Sequence, residues 1–271
     1  MLRVVLLIAL MLGSAGPTIA EPASFMVMTY NMRAGLGSFQ PDRNPIEARG
    51  SKQNLKPVVA AIRSADADVV ALQEVVGESQ AREIATALRM THVYARHGAM
   101  HGNWWGLAIL SRHKIVSHHA DGTSSGRGNT RSDLTAVIRI GDRNVTVVNV
   151  HTDKDLKDGA PIKRTLARIS SIEGPLIVLG DFNARPKSER IAPMRARLTD
   201  VTAIVAAKGA SEAARHPTFM RESQPVLGAR IDYVFVDPKF LDVREVRLLD
   251  RTHWPASDHI GVIAVMALRA P

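Results

Sequence analysis

Apolar residues in this chain gather in short runs that stop abruptly at polar side chains. Residues 25–30, 68–73, 107–110, 176–179, 233–236 and 260–266 have the length and β-branched content of largely buried strands. Residues 134–140 and 144–150 flank Gly141-Asp142-Arg143, a turn signal that predicts a hairpin. Other segments follow the helical period. Leu55, Val58, Val59 and Ile62 share one face, and Pro57 either opens that helix or kinks it. Residues 81–90 carry Ile84 and Leu88 four apart. Pro161 opens a third helix with Ile162, Leu166 and Ile169 on one face and Arg164 and Arg168 on an opposite, solvated face. Consecutive strands with a few helices predict two packed sheets with helices outside.

The first twenty residues follow a different pattern. Arg3 gives a positive start, residues 4–12 are compactly apolar, and Thr18-Ile19-Ala20 supplies small residues for cleavage. Residues 1–20 are therefore expected to be a signal peptide and 21–271 a single domain, exported to the periplasm or beyond the cell. The apolar stretch is too short to span a bilayer as a helix, so no stable membrane insertion is expected after its removal. A length of 271 residues, 45% hydrophobic, suits one domain with a sizeable core. The absence of cysteine excludes disulfides, thiolate chemistry and cysteine-rich zinc sites. Metal ligands, if any, are oxygen or imidazole. Formal net charge is +9, or +8 without Arg3, which favours phosphate-bearing partners through long-range attraction.

Six polar signatures sit at the ends or starts of the apolar runs: Thr29-Tyr30-Asn31, Gln73-Glu74, Asn149-Val150-His151, Gly180-Asp181-Phe182-Asn183, Arg230-Ile231-Asp232-Tyr233 and Ser257-Asp258-His259. The first four follow runs; the last two open them. If neighbours are antiparallel, the end of one strand lies beside the start of the next, and all six meet on one rim. Acids, amides and two histidines on one rim are the equipment of a metal-assisted hydrolase. Taken singly, each has an ordinary alternative. Asn31 suits a turn, Asp181 and Asn183 suit an Asx-turn closing a strand, and a strand-end glutamate can simply reach water.

The order of these signatures resembles the endonuclease/exonuclease/phosphatase superfamily, over about the whole chain after Glu21. Gly-Asp-Phe-Asn followed by Ser-Asp-His is the specific part. The resemblance implies an α/β fold of two packed sheets flanked by helices, a four-layer α/β/β/α sandwich of deoxyribonuclease-like type. It implies Mg²⁺, with Mn²⁺ as a substitute, held by Glu74 with Asn31 and Asp258. It further implies that Asp181 activates water, Asn183 positions it, and His151 and His259 contact the phosphate, with Asp232 orienting His259. Arg131 matches a phosphate-facing arginine of relatives. Arg33 stands where the family often has an acid, and is expected to touch phosphate instead. Branches that process abasic DNA usually place another residue type at His151.

These features predict a secreted, Mg²⁺-dependent phosphoester hydrolase, with a nuclease-type phosphodiesterase favoured. A sphingomyelinase-like or inositol-phosphate phosphatase activity is the alternative within the class. A catalytically inactive module binding phosphate ligands is the alternative outside it. His97, His101, His113, His118 and His119 have no strand-end partner pattern and are expected mostly at the surface. Asn103-Trp104-Trp105 is read as an exposed contact loop or, equally, as packed tryptophans.

Overall fold

The computed structural model describes residues 24–38, 53–97, 105–124, 130–153, 159–209, 216–221 and 224–270. The expected signal segment, His101, Asn103 and Trp104 lie outside the described residues. The chain enters through β1 (Ser24–Asn31). In α1 (Lys56–Ala65) Pro57 occupies the first turn, where a missing N–H breaks no helical bond, so it opens the helix without a kink. Next come β2 (Val69–Val76), α2 (Gly77–Leu88), β3 (Thr91–Arg96), β4 (Trp105–Ser111) and β5 (Ile115–Ser124). The predicted hairpin is β6 (Thr130–Ile140) with β7 (Arg143–His151). Ile140 pairs Arg143, leaving Gly141 (φ 59°) and Asp142 as a two-residue turn.

The second half runs α3 (Ala160–Ile169), β8 (Leu176–Asp181), α4 (Ala192–Arg197), β9 (Thr199–Asp200) and α5 (Val201–Ala207). A small hairpin of β10 (Phe219–Arg221) and β11 (Gln224–Ala229) precedes β12 (Asp232–Val236), β13 (Leu241–Leu248) and β14 (Val262–Leu268).

Two six-stranded sheets result, ordered β13-β14-β1-β2-β4-β3 and β5-β6-β7-β8-β12-β9. Their inner faces form one core, in which Val27, Val69 and Ile109 meet Leu134, Val147, Ile177 and Val234. Val58 and Ile62 of α1 and Ile84 of α2 cover the outer face of the first sheet over Met28, Leu72 and Leu110. Ile162 and Ile169 of α3, with Met194 of α4, cover the second over Val148, Val178 and Phe235. This is the expected four-layer sandwich. Each such large side chain contributes roughly 1.5–3 kcal/mol by leaving water.

One polar clamp crosses the inner core. Gln73 Nε2 donates to Asn149 Oδ1 at 2.8 Å, and Asn149 Nδ2 donates to the carbonyls of Leu72 and Ala108 at 2.9 Å each. Both side chains are fully buried. Asn149→Leu removes the side-chain donor to two buried carbonyls and one acceptor of the Gln73 amide, which keeps Thr29 Oγ1 and the Ala71 carbonyl, so a loss of about 2–4 kcal/mol in chemical denaturation is expected. An unchanged midpoint would refute the clamp.

The arginine face of α3 departs from expectation. Arg168 pairs with Asp133 of β6 at 3.0 Å and with Asp121 at 3.7 Å, and Arg164 is half-buried. The helix turn places Thr165 and Arg168 on a flank against β6, where Thr165 Oγ1 also donates to Asp133 at 2.6 Å. Burial outweighs these partners and pushes the Asp133 carboxyl up to about 6. A carboxyl raised on folding favours the folded state fully below its unfolded value near 4, and that contribution is lost as pH rises through 6. Between pH 4 and 7, Asp133→Asn should therefore gain on the wild type by up to about 3 kcal/mol. Thermal melts across that range test this, and a constant difference would count against it.

Candidate active site

Register, more than any single residue, assembles the site. β8 lies parallel to β7 and antiparallel to β12, so Asp181 stands between His151 and Asp232 as direct Cα partners. In the other sheet Asn31 ends β1 opposite Gln73 of the parallel β2. The expectation of antiparallel neighbours holds for β8–β12 and β1–β14. β1–β2 and β7–β8 are parallel, which sets strand end beside strand end and still gathers the six signatures on one rim.

Two backbone devices aim the acids. A side chain at Gly180 would place its Cβ 2.0 Å from the Val150 carbonyl oxygen, so only glycine lets β8 approach β7 there. Glu74 is the extra residue of a bulge between Gln73 and Val75, with φ of 59°. A bulge re-aims one side chain out of the pleat. Arg33 (φ 44°) and Asn183 (φ 46°) share this left-handed conformation. Non-glycine residues held there store on the order of 1–3 kcal/mol each, as is common at working sites.

The two sheets meet at Asn31. Its Nδ2 donates to Glu74 Oε1 and to Asp181 Oδ2, at 3.2 Å each. Asp181 Oδ1 accepts from the main-chain N–H of Asn183 at 2.8 Å, and Asn183 Nδ2 donates to the Thr152 carbonyl at 3.1 Å. The Asx-turn weighed as an alternative is thus present, and it fixes the carboxylate's rotation. His151 Nε2 lies 3.4 Å and His259 Nε2 3.8 Å from Asp181 Oδ2. His259 Nδ1 is 2.9 Å from Asp232 Oδ2. Arg131 Nη1 lies 2.9 Å from His151 Nδ1.

Neighbouring residues lock this arrangement. Ser257 Oγ donates to the Asn31 carbonyl at 2.7 Å and accepts the His259 N–H at 3.1 Å. Thr218 Oγ1 accepts the N–H groups of Ile231 and Asp232 at 3.0 Å, and the His259 ring rests 5.1 Å from that of Phe219. Arg33 Nε pairs with Asp258 at 3.4 Å, while its Nη1 donates to the carbonyls of Gly37 and Ser38. A phosphate contact by Arg33 would have to share those partners.

The titrating groups diverge. Burial and the Asp232 carboxylate push the Asp181 carboxyl up to about 7, against the pull of His259. Burial alone would lower His259, but Asp232, Asp181 and Asp258 outweigh it and raise the imidazole to about 10. His151 goes the other way: burial, then Arg131, then His97 hold it well below the usual imidazole range. Burial and the Asp258 carboxylate raise Glu74, and burial raises Asp258.

Two groupings suit a cation. Asp181, Asp232 and His259 offer ligand atoms within 4.8 Å of one another. His259 is a poor ligand there, because its Nδ1 is engaged by Asp232 and three carboxylates favour its protonated form. Glu74 with Asn31 and Asp258 fits better. It joins two carboxylates crowded enough to raise Glu74, the hard oxygen donors a divalent ion prefers, and Asn31 holds Glu74 in place through Nδ2 while its Oδ1 accepts the Arg33 N–H at 3.0 Å.

His97 is a site neighbour that sequence reasoning placed at the surface. It is 4% exposed, its ring 5.9 Å from that of His151, with Nδ1 accepting the Ser132 N–H at 2.8 Å. It directly follows β3, so a strand-end position would have marked it had that strand been recognised. His118 and His119 are exposed, as expected, and His113 is half-buried. Trp105 is a half-buried residue of β4 paired with Val76.

Among solved structures, the fold is similar to that of a functionally unknown conserved protein from Enterococcus faecalis, with TM-score 0.72 and 20% identity over 90% of this chain and 100% of that one. It is similar to the human Nocturnin catalytic domain with bound sulfate, with TM-score 0.68 and 18% identity over 91% and 94% of the two chains. It is also similar to ANGEL2, a 2',3'-cyclic phosphatase in complex with adenosine-2',3'-vanadate, with TM-score 0.68 and 17% identity over 93% and 97%. No curated protein sequence matches the chain. The sequence model of one family matches residues 28–259, which takes in every signature from Asn31 to His259. The chain belongs to the endonuclease/exonuclease/phosphatase family.

Proposed function

We propose that this chain is a divalent-metal-dependent phosphodiesterase in which water attacks phosphorus, with nucleic acid the favoured substrate. The observation behind this reading is the pair of hydrogen bonds that Asn31 Nδ2 donates to Glu74 and Asp181. It sets an acid suited to holding a cation one amide away from an acid suited to taking a proton. Glu74 and Asp258 would hold Mg²⁺ or Mn²⁺, with Asn31 beside them orienting Glu74, and an ion there neutralises phosphate charge when bound. Arg33 positions Asp258 through their ion pair. Asp181 takes the proton from water, its orientation fixed by the Asn183 N–H. Asn183, whose Nδ2 donates to the Thr152 carbonyl, would use its remaining amide capacity to position that water. His259, kept protonated by Asp232, delivers a proton to the leaving oxygen, and His151 donates to a phosphoryl oxygen.

The substrate preference rests on charge and surface. Residues 21–271 carry formal +8, which concentrates polyanions. Among the described residues Val116 is the one exposed large hydrophobic, which disfavours docking on a bilayer and hence a sphingomyelinase-like role. The cyclic phosphodiester that ANGEL2 acts on supports a nucleotide substrate here. Export follows from residues 1–20, with cleavage before Glu21. N-terminal sequencing of the protein recovered from cells tests it, and an intact Met1 would refute it.

Purified protein should turn over plasmid DNA or RNA with added Mg²⁺, and chelation should stop it. Faster turnover of sphingomyelin or an inositol phosphate would overturn the nuclease preference and leave the hydrolase class. Phosphate-ligand binding without turnover of any of these, or of a chromogenic diester, would make the chain a binding module.

A further inference from the structure

His151 and His259 both approach Asp181 Oδ2 through Nε2, yet their Nδ1 atoms meet opposite chemistry. His259 Nδ1 faces an acceptor, the Asp232 carboxylate at 2.9 Å. His151 Nδ1 faces Arg131 Nη1 at 2.9 Å. A guanidinium offers donors only, so this nitrogen has to accept, and the proton of a neutral ring lies on Nε2. The same Nη1 is 3.3 Å from His151 Nε2. The shorter of these two contacts, at Nδ1, decides between the tautomers, and the Asp181 carboxyl lies on the Nε2 side of the ring.

The next residue of β6 repeats the pattern. The Ser132 N–H donates to His97 Nδ1 at 2.8 Å, which puts the His97 proton on Nε2, a buried atom with no hydrogen-bond partner among the described residues. A neutral His97 ring beside His151 and the Arg131 guanidinium leave no room for a further positive charge. Burial, Arg131 and His97 all act against an imidazolium at His151.

We propose that Arg131 is a positioning residue that holds His151 uncharged with its proton on Nε2, so that His151 is a fixed hydrogen-bond donor to a phosphoryl oxygen and, of the two histidines, His259 is the one that moves a proton. The catalytic half of this rests on the hydrolase reading; the tautomer does not. It replaces the direct phosphate contact expected for Arg131.

Nitrogen-15 NMR of the full chain carrying ¹⁵N-labelled histidine tests it, with the His151 signal assigned by its loss in His151→Gln. Near neutral pH the wild type should give the neutral Nε2–H pattern. Arg131→Met should mix the tautomers or populate imidazolium, and Arg131→Lys, another donor-only cation, should keep the wild-type pattern. In kinetics, His151→Gln keeps a donor that cannot titrate, so kcat should stay within about tenfold of wild type, whereas His151→Ala loses about 10² or more. An Nδ1–H or imidazolium signal in the wild type, or an unchanged spectrum in Arg131→Met, would overturn the positioning role. Equal losses in His151→Gln and His151→Ala would overturn the fixed-donor role. The expected spectra without any phosphoester turnover would instead sink the hydrolase reading and leave the tautomer assignment intact.

Discussion

Glu74→Gln is expected to lower turnover by about 10² or more at Mg²⁺ levels that saturate the wild type, with no loss of fold. The amide keeps the shape of the side chain, and its oxygen can still accept from Asn31 Nδ2. What disappears is the charge. In the metal-free protein that charge is a burden, since burial and Asp258 both raise the Glu74 carboxyl. A raised carboxyl favours folding below its unfolded value and loses that contribution as pH rises through the folded one. At neutral pH with chelator, the variant should therefore melt no lower than the wild type. Added Mg²⁺ should raise the melting temperature of the wild type, because an ion that binds only the folded chain stabilises it, and should do much less for the variant. This readout also separates the two cation groupings. If Asp181, Asp232 and His259 hold the ion, Glu74→Gln leaves the Mg²⁺-dependent shift intact, and the assignment to Glu74 fails.

Elements with a strong internal pattern were legible in the sequence. Central strands such as residues 176–179 are continuous apolar runs because both faces are covered, and the Gly141-Asp142 turn announces its hairpin. β3 and β5 were not legible, because each is the last strand of its sheet and carries mixed side chains such as Ile115-Val116-Ser117-His118-His119. β13 reads Leu-Asp-Val-Arg-Glu-Val-Arg-Leu, and a register shift between Val243 and Glu245 breaks the alternation that would have marked it. At the site, residue identities were legible because polar groups interrupt apolar runs. Their partners were not. The Arg131–His151 contact joins β6 to β7, and His97 comes from the other sheet, so both depend on tertiary register. The same holds for Arg168, whose acid partner Asp133 is 35 residues away.

Asp181→Asn and His259→Ala should each reduce kcat by about 10² or more with smaller changes in KM, as groups acting mainly in the transition state do. Asp181 is central by geometry: its Oδ2 is within 3.8 Å of His259, 3.4 Å of His151 and 3.2 Å of Asn31, and its Oδ1 is fixed by Asn183. Asparagine fits that space but cannot take a proton. His259→Ala removes the imidazole that the surrounding carboxylates hold in its charged form. Asp232→Asn should fall between His259→Ala and the wild type. Its oxygen can still accept from His259 Nδ1 and hold the ring, but the charge that contributes most to keeping the imidazole protonated is gone. Because Asp232 Oδ1 is buried with no partner among the described residues, the new amide N–H₂ has nothing to bond there, which adds a stability cost of about 1–3 kcal/mol visible in melts. Kinetics below the lowered melting temperature separate the two effects. Wild-type kcat in Asp232→Asn would show that His259 needs no anionic partner, and the proton would then have to reach the leaving oxygen by another route.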